Sequence, residues 1–194
     1  PRAPFGLRAL PFSARRASPR QVDIDQEAGT IKVWNNGNGL PVEMHKDMGV
    51  YVPEMIFGNL LTSSNYNDSE KKVVGGRNGY GAKLANIFST EFIVETADGS
   101  REKKYRQVFS NNMQDKSKPK ITKCKASDNW TCITFTPDLS KFGMDSLDDD
   151  TVALMRKRVY DVAGCIGARG VKVHLNGTRL PIIRSRCTAQ SAER

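Results

Sequence analysis

Two glycine-rich loops, separated by a helical pattern and a polar stretch, constrain this chain more than any other feature. Residues 35–41 read NNGNGLP and residues 75–81 read GGRNGYG, followed by the apolar pattern of a helix. Glycine lets backbone N–H groups approach phosphate oxygens without a Cβ in the way, and the start of a helix directs positive charge toward them. A nucleotide is the ligand that such a pair of loops could hold, with Lys83 as an added positive charge. On the glycines alone, ordinary turns are the favoured interpretation.

The two common phosphate-binding motifs do not fit this pattern. A P-loop requires Gly-Lys-Ser/Thr, but here Ala82 and Lys83 precede Leu84. A dinucleotide fingerprint follows a strand, whereas the second loop follows a polar, turn-rich stretch. A nucleotide at these loops would therefore be held in another way.

The remaining patterns predict a mixture of helices and short strands. An early hairpin is predicted around a turn at residues 27–30, and Asp98-Gly99 and Asn176-Gly177 are further hairpin signals. Helices are predicted over residues 53–61 and 82–88, and over 152–162 with Asp145 and Ser146 as caps and basic residues 156–158 later in the helix. Strands are predicted at residues 91–96, 103–109, 121–124, 131–136, 171–175 and 180–183, the first four as an antiparallel meander.

Composition narrows the class of protein. The chain has 194 residues, which suits one domain, and no apolar run reaches the roughly 18 residues of a membrane-spanning helix, so no membrane partner is expected. The net charge is +9, but residues 1–21 hold five arginines and no acid. Only two histidines are present, which leaves little for a histidine metal site or a Ser-His-Asp triad.

Several longer runs carry a resemblance to a known family. They are WNNGNGLPV (34–42), YVPEMIFG (51–58), LLTSSNY (60–66), GGRNGYGAKL (75–84), NIFSTEF (86–92), FTPDLSKF (135–142) and LNG (175–177). Over roughly residues 22–182 the chain closely resembles the ATPase domain of eukaryotic type II DNA topoisomerases. The resemblance implies the gyrase-type (GHKL) ATPase fold. This is an α+β two-layer sandwich, with a mixed, mostly antiparallel sheet and helices on one face, here incomplete at the N-terminus.

The same resemblance implies a function. The chain would be a fragment of an ATP-dependent enzyme, supplying the ATP-binding part of an N-terminal gate that drives duplex passage and relaxes or decatenates DNA. It implies ATP and Mg²⁺ as cofactors, duplex DNA as a partner and a homodimer in the full-length enzyme. It also implies a nuclear location, or an organellar one if residues 1–21 are a transit segment.

The resemblance further implies which residues bind ATP. The superfamily's Asp-x-Gly-x-Gly reads Asn35-x-Gly37-x-Gly39 here, and the side-chain oxygen of Asn35 can still accept a hydrogen bond from the adenine amino group. Asn35 as a turn residue and Tyr80 as a packing residue are the alternatives. The implied ATP-binding set is Asn35, Ser63, Ser64, Asn65, Gly76, Arg77, Asn78, Gly79, Tyr80, Gly81, Ala82 and Lys83.

The resemblance also divides the chain into three segments. Residues 1–21 form a basic segment that lies outside the resemblance and is expected to be disordered. Residues 22–183 form a partial ATPase domain, and residues 184–194 form a tail outside the resemblance.

The family's catalytic Glu and its Mg²⁺-positioning Asn lie on a helix before the first strand, and residues 1–21 contain neither residue type. We therefore expect no catalytic residue and no metal ligand in this chain. The alternative function is a non-catalytic nucleotide-binding module.

A lysine series remains outside this assignment. It comprises Lys116, Lys118, Lys120, Lys123 and Lys125. Such a series can bind DNA phosphates, or it can keep an exposed strand edge from pairing with another chain. The edge-strand interpretation is favoured by the sequence alone.

Overall fold

Alternation of apolar and polar residues along the β-rich segments produces a sheet with one covered face. The computed structural model describes residues 20–59, 79–167 and 171–181. Its strands are β1 (Arg20–Asp25), β2 (Thr30–Asn35), β3 (Ser89–Asp98), β4 (Lys103–Ser110), β5 (Asp115–Lys116), β6 (Lys120–Lys123), β7 (Asn129–Pro137), β8 (Val173–Leu175) and β9 (Thr178–Arg179). Its helices are α1 (Val52–Gly58), α2 (Tyr80–Ile87) and α3 (Asp149–Gly167), with a 3₁₀ turn over Leu139–Phe142.

The strands form one sheet in the order β5-β4-β3-β7-β2-β1-β8-β9, and β6 also pairs with β4. Only the β1–β8 pair is parallel among the described strands. The prediction of a mixed, mostly antiparallel sheet is therefore confirmed. The predicted meander is wrong in one respect, because β7 does not follow β6 at the edge. Instead β7 lies between β3 and β2 and joins the two halves of the sheet.

Two apolar clusters lie on the same face of the sheet. The cluster beneath α3 joins Ile24 and Ile31 to Val152 and Val159. The cluster beneath α1 and α2 is built from Val42, Phe57, Phe92, Val94, Tyr105 and Phe109. All three helices thus cover one face, which confirms the two-layer sandwich. Within the described ranges, no helix has the length and apolarity needed to cross a membrane.

The start of α3 differs from the prediction. The capping residue is Asp148, whose Oδ1 accepts a hydrogen bond from the Thr151 N–H at 2.6 Å. Hydrogen bonds from the Thr151 side chain and backbone lower the pKa of Asp148 below its usual value. Asp145 and Ser146 lie before the helix, and the basic residues 156–158 lie in its middle because α3 continues to Gly167. The prediction failed because several adjacent residues could serve equally well as caps.

The parallel pairing of β1 with β8 is fixed by the side chain of Asn176. Backbone pairing of β8 with β1 ends at Val22 and Leu175. Beyond that point the Asn176 Oδ1 accepts from the Ile24 N–H at 2.8 Å, and its Nδ2 donates to the Ile24 carbonyl at 3.1 Å. The amide side chain thereby continues the ladder by one residue. Asn176 and Gly177 both have positive φ, as the predicted Asn-Gly hairpin requires.

We expect Asn176→Ala to destabilise the fold by about 2–4 kcal/mol, because it leaves two backbone groups of β1 unpaired and puts alanine, which tolerates the left-handed region less well than asparagine, at φ 46°. Asn176→Gly removes the same hydrogen bonds but tolerates the positive φ, so it should cost about 1–2 kcal/mol less than the alanine variant. Urea unfolding of both variants measures the difference. Equal and negligible losses would contradict the assigned role.

Candidate nucleotide site

The first glycine loop begins where β2 ends. Asn35 is the last residue of β2 and lies opposite Thr131 of β7. Its Oδ1 accepts a hydrogen bond from the Gly37 N–H at 3.1 Å, so Asn35 acts as the turn residue that was its alternative role. An amide oxygen has two lone pairs, which leaves one for a further donor. The adenine contact of Asn35 remains a prediction.

Two buried side chains of β3 hold this loop against the sheet. The Thr96 hydroxyl accepts from the Leu40 N–H at 3.0 Å and donates to the Trp130 carbonyl at 2.9 Å. Asp98 accepts from the Val42 N–H at 3.0 Å. Neither residue was predicted from the sequence. The available signal was a polar residue at each of two buried positions within an otherwise apolar strand pattern.

The charge of Asp98 is retained despite its burial. Burial by itself would raise the pKa of Asp98, but hydrogen bonds from Ser100, the Val42 N–H and Arg101 outweigh it and bring the pKa below the usual value. Arg101 Nη1 lies 3.0 Å from the carboxylate, and Nη2 of the same guanidinium lies 2.6 Å from Glu43. The loop is therefore anchored to a charged group whose partners are in place.

The second glycine loop ends at the start of α2. Gly79 caps this helix in the left-handed conformation, with φ 68° and ψ 19°. Glycine offers no capping side chain, and the first-turn N–H groups have no partners within the helix. α2 begins at Tyr80, slightly before the predicted start at 82, so Tyr80 and Gly81 belong to its first turn. Phosphate groups bind at helix starts, and this local geometry is compatible with the predicted site.

Lys83 bends back toward this helix start. Its side chain is only 2% exposed, and its Nζ donates to the Gly79 carbonyl at 2.9 Å. Burial lowers the pKa of Lys83. Tyr80 is 40% exposed, which does not fit its alternative role as a packing residue. The ammonium group thus lies at the end of the second glycine loop.

The structure describes half of the predicted ATP-binding set. Asn35, Gly79, Tyr80, Gly81, Ala82 and Lys83 lie within the described residues. Ser63, Ser64, Asn65, Gly76, Arg77 and Asn78 lie outside them. The described members divide between the end of β2 and the start of α2, on the sheet face that carries the helices.

A gap in the helical layer lies beside Asn35. Val33 lies on the covered face, yet it is 39% exposed, between the cluster under α3 and the cluster under α1 and α2. Asn36, the residue after Asn35 in the chain, has a buried Oδ1 without a hydrogen-bond partner among the described residues. A buried acceptor without a donor is costly, and a ligand that donates a hydrogen bond relieves that cost. These features fit a nucleotide base.

The described residues do not fit a protein-held metal. They contain no group of three or more His, Cys, Asp or Glu side chains positioned to hold an ion. Any Mg²⁺ would therefore depend on oxygens of the triphosphate or on residues outside these ranges.

Comparisons with known proteins agree with this geometry. The chain is 66% identical over 162 residues to DNA topoisomerase 2 of Arabidopsis thaliana and 68% identical over 158 residues to DNA topoisomerase 2 of Pisum sativum. These matches cover 84% and 81% of the chain but 11% of each relative. The ATPase region of Saccharomyces cerevisiae topoisomerase II matches with a TM-score of 0.81 and 55% identity, over 84% of this chain and 43% of that one. No family model matches the chain.

The first glycine loop packs closely against β3 at Gly39. A Cβ at Gly39 would lie 2.1 Å from the Ala97 carbonyl oxygen, whereas a Cβ at Gly49 meets nothing within 4 Å, and both glycines have positive φ. We expect Gly49→Ala to cost about 1 kcal/mol and Gly39→Ala about 3 kcal/mol or more. Chemical unfolding measures both values. A Gly39→Ala variant as stable as Gly49→Ala would show that the loop is not pressed against β3.

Proposed function

Because the chain is homologous to part of the ATPase region of eukaryotic type II DNA topoisomerases, we propose that residues 22–183 bind ATP as part of the N-terminal gate of a larger enzyme. In that enzyme, ATP binding would drive duplex passage and so relax or decatenate DNA. The chain spans about 11% of the length of its relatives, so these activities belong to the proposal for the full-length protein. The observation that carries it is the start of α2, where Gly79 caps the helix without a side chain and the Lys83 Nζ donates to the Gly79 carbonyl.

The site would hold the two ends of ATP separately. The adenine amino group would donate to Asn35 at the end of β2. The triphosphate would lie at the start of α2, where N–H groups and the Lys83 ammonium offset its negative charge. Ser63, Ser64 and Asn65 and the loop residues Gly76, Arg77 and Asn78 complete the proposed set.

Mg²⁺, duplex DNA and a second subunit belong to the proposal for the whole enzyme. Mg²⁺ would neutralise charge on the bound triphosphate, but the described residues contain no ligand set for it. We propose a nuclear location and a homodimeric full-length enzyme, with an organellar location as the alternative if residues 1–21 act as a transit segment.

A non-catalytic nucleotide-binding module is the second candidate. It is favoured by one observation, which is that residues 1–21 contain neither Glu nor Asn. The resemblance assigns the water-activating and metal-positioning roles to those residue types, before the first strand. This 194-residue chain would then bind ATP without turning it over.

Nucleotide binding can be tested with a nonhydrolysable ATP analogue and isothermal calorimetry. Gly79→Val should weaken binding at least tenfold, because a β-branched residue is strained at φ 68° and displaces the start of α2. Asn35→Asp should retain binding, since the carboxylate keeps an acceptor for both the Gly37 N–H and the adenine amino group.

Gly143→Val is the matched control for the glycine variant. Gly143 has nearly the same φ, +66°, and open space around it, but it ends the 3₁₀ turn rather than starting α2. The control should bind the analogue as the unmodified chain does. Equal weakening in both valine variants would mean that general destabilisation, not the phosphate-binding loop, caused the loss.

Turnover distinguishes the two candidate functions. We expect the purified 194-residue chain to bind the analogue but to release no phosphate from ATP in the presence of Mg²⁺, because it lacks the general base that activates water. A phosphate-release assay measures this directly. Magnesium-dependent release that is lost in Gly79→Val would contradict the non-catalytic assignment.

A further inference from the structure

The positive charge of the folded part of the chain is concentrated in one segment. Residues 100–125 contain nine Lys or Arg and two Asp or Glu, whereas the rest of residues 22–181 contain thirteen and eighteen. This segment forms β4, β5 and β6 at one edge of the sheet. The folded part therefore has a strongly basic edge and an otherwise acidic surface composition.

Pairing between β4 and β6 places like charges directly opposite each other. Lys103 faces Lys123, and Arg106 faces Lys120, so two of the four cross-strand pairs are cation pairs. Like charges opposite one another destabilise an antiparallel pair. This arrangement opposes the local stability of the edge.

Four of these cations form no ion pair with the described residues. Lys103, Lys118, Lys120 and Lys123 are exposed, and none forms an ion pair with any residue in the described ranges. Lys104 and Arg106 share one carboxylate, Glu95, at 3.9 and 3.8 Å. Lys116 differs, because its Nζ bonds the buried Glu54 of α1 at 2.8 Å. Lys116 therefore holds α1 against the sheet and is not counted among the cations that could bind a ligand.

Protection of the strand edge does not account for this arrangement. Lys118 and Lys120 flank Pro119, and a proline already prevents strand addition at this position. Lys103 and Arg106 lie on β4, the strand behind the edge, where pairing with another chain is already blocked by β6. At those positions the cations face Asp98 and Glu95 of β3 on one side and the cations of β6 on the other, so they do not protect the edge from pairing.

We propose that this basic edge, consisting of Lys103, Lys104, Arg106, Lys118, Lys120 and Lys123, binds the phosphate backbone of duplex DNA without reading its base sequence. A linear polyanion would relieve the cross-strand repulsion and release its own counterions. The choice of DNA as the polyanion rests on the proposed function. The surface itself lies three strands away from Asn35 and is separate from the nucleotide site.

The test compares two triple variants of the full 194-residue chain. The edge variant is Lys118→Gln, Lys120→Gln and Lys123→Gln, and the control is Lys32→Gln, Lys141→Gln and Lys172→Gln, which removes three exposed cations elsewhere. Binding to a labelled duplex of about 20 base pairs is followed by fluorescence anisotropy at several salt concentrations. Both variants keep the five arginines of residues 1–21, so these cancel in the comparison.

The expected result is a change of salt dependence in the edge variant alone. The slope of log K against log salt should fall by about 2–3, with roughly tenfold or weaker binding at moderate salt, because each lost phosphate contact contributes about 0.9 to the slope. The edge variant should melt at or above the temperature of the unmodified chain, because two like-charge pairs are removed. Its affinity for the ATP analogue should be unchanged, whether or not the duplex binds.

Three results would overturn the proposal. Equal slopes in the edge variant and the unmodified chain would show that the edge does not contact DNA. Equal losses in the edge and control variants would show that only net charge matters. Polyglutamate that binds as tightly as the duplex, and depends on the same three lysines, would identify an acidic protein segment as the partner instead. If the unmodified chain binds the duplex but does not bind the ATP analogue, the proposed function is refuted and the proposal for this surface stands.

Discussion

The hydrogen bonds from the buried Thr96 and Asp98 to the first glycine loop are the interactions on which the candidate site depends. They join the Leu40 and Val42 N–H groups to β3, the longest strand of the sheet. Glycine at position 39 allows that approach, because any Cβ would meet the Ala97 carbonyl. The loop cannot move outward without breaking bonds to a buried carboxylate. It therefore leaves Asn35 at a fixed position at the end of β2.

β7 connects this loop to the rest of the fold. It pairs with β2 on one side and β3 on the other, so Asn35 and Thr96 both lie opposite Thr131. The Thr96 and Thr131 hydroxyls are 3.1 Å apart. The helical layer leaves this part of the sheet exposed at Val33 while it covers the clusters on either side. The open part of the covered face thus coincides with the polar residues that the proposed function uses.

Features encoded over short distances in the sequence were the ones that it predicted well. The first glycine loop, the Asp98-Gly99 and Asn176-Gly177 turns and the amphipathic α3 each depend on neighbouring residues. The insertion of β7 between β2 and β3 could not be predicted, because strand order depends on contacts between segments about forty and a hundred residues apart. The burial of Lys83 and the loop anchors on β3 likewise follow from tertiary packing. The ATP-binding roles came from the resemblance, not from these patterns.

The charge distribution explains how the chain can carry two anionic ligands on one small domain. At the nucleotide site, charge is supplied mainly by backbone N–H groups and one buried lysine, which are fixed in direction and suit a compact triphosphate. At the basic edge, long exposed side chains carry the charge, and they can follow an extended backbone without precise geometry. A rigid set of dipoles selects by shape, whereas mobile cations select by charge density. The two proposed sites are therefore not interchangeable, although both are proposed to bind phosphate.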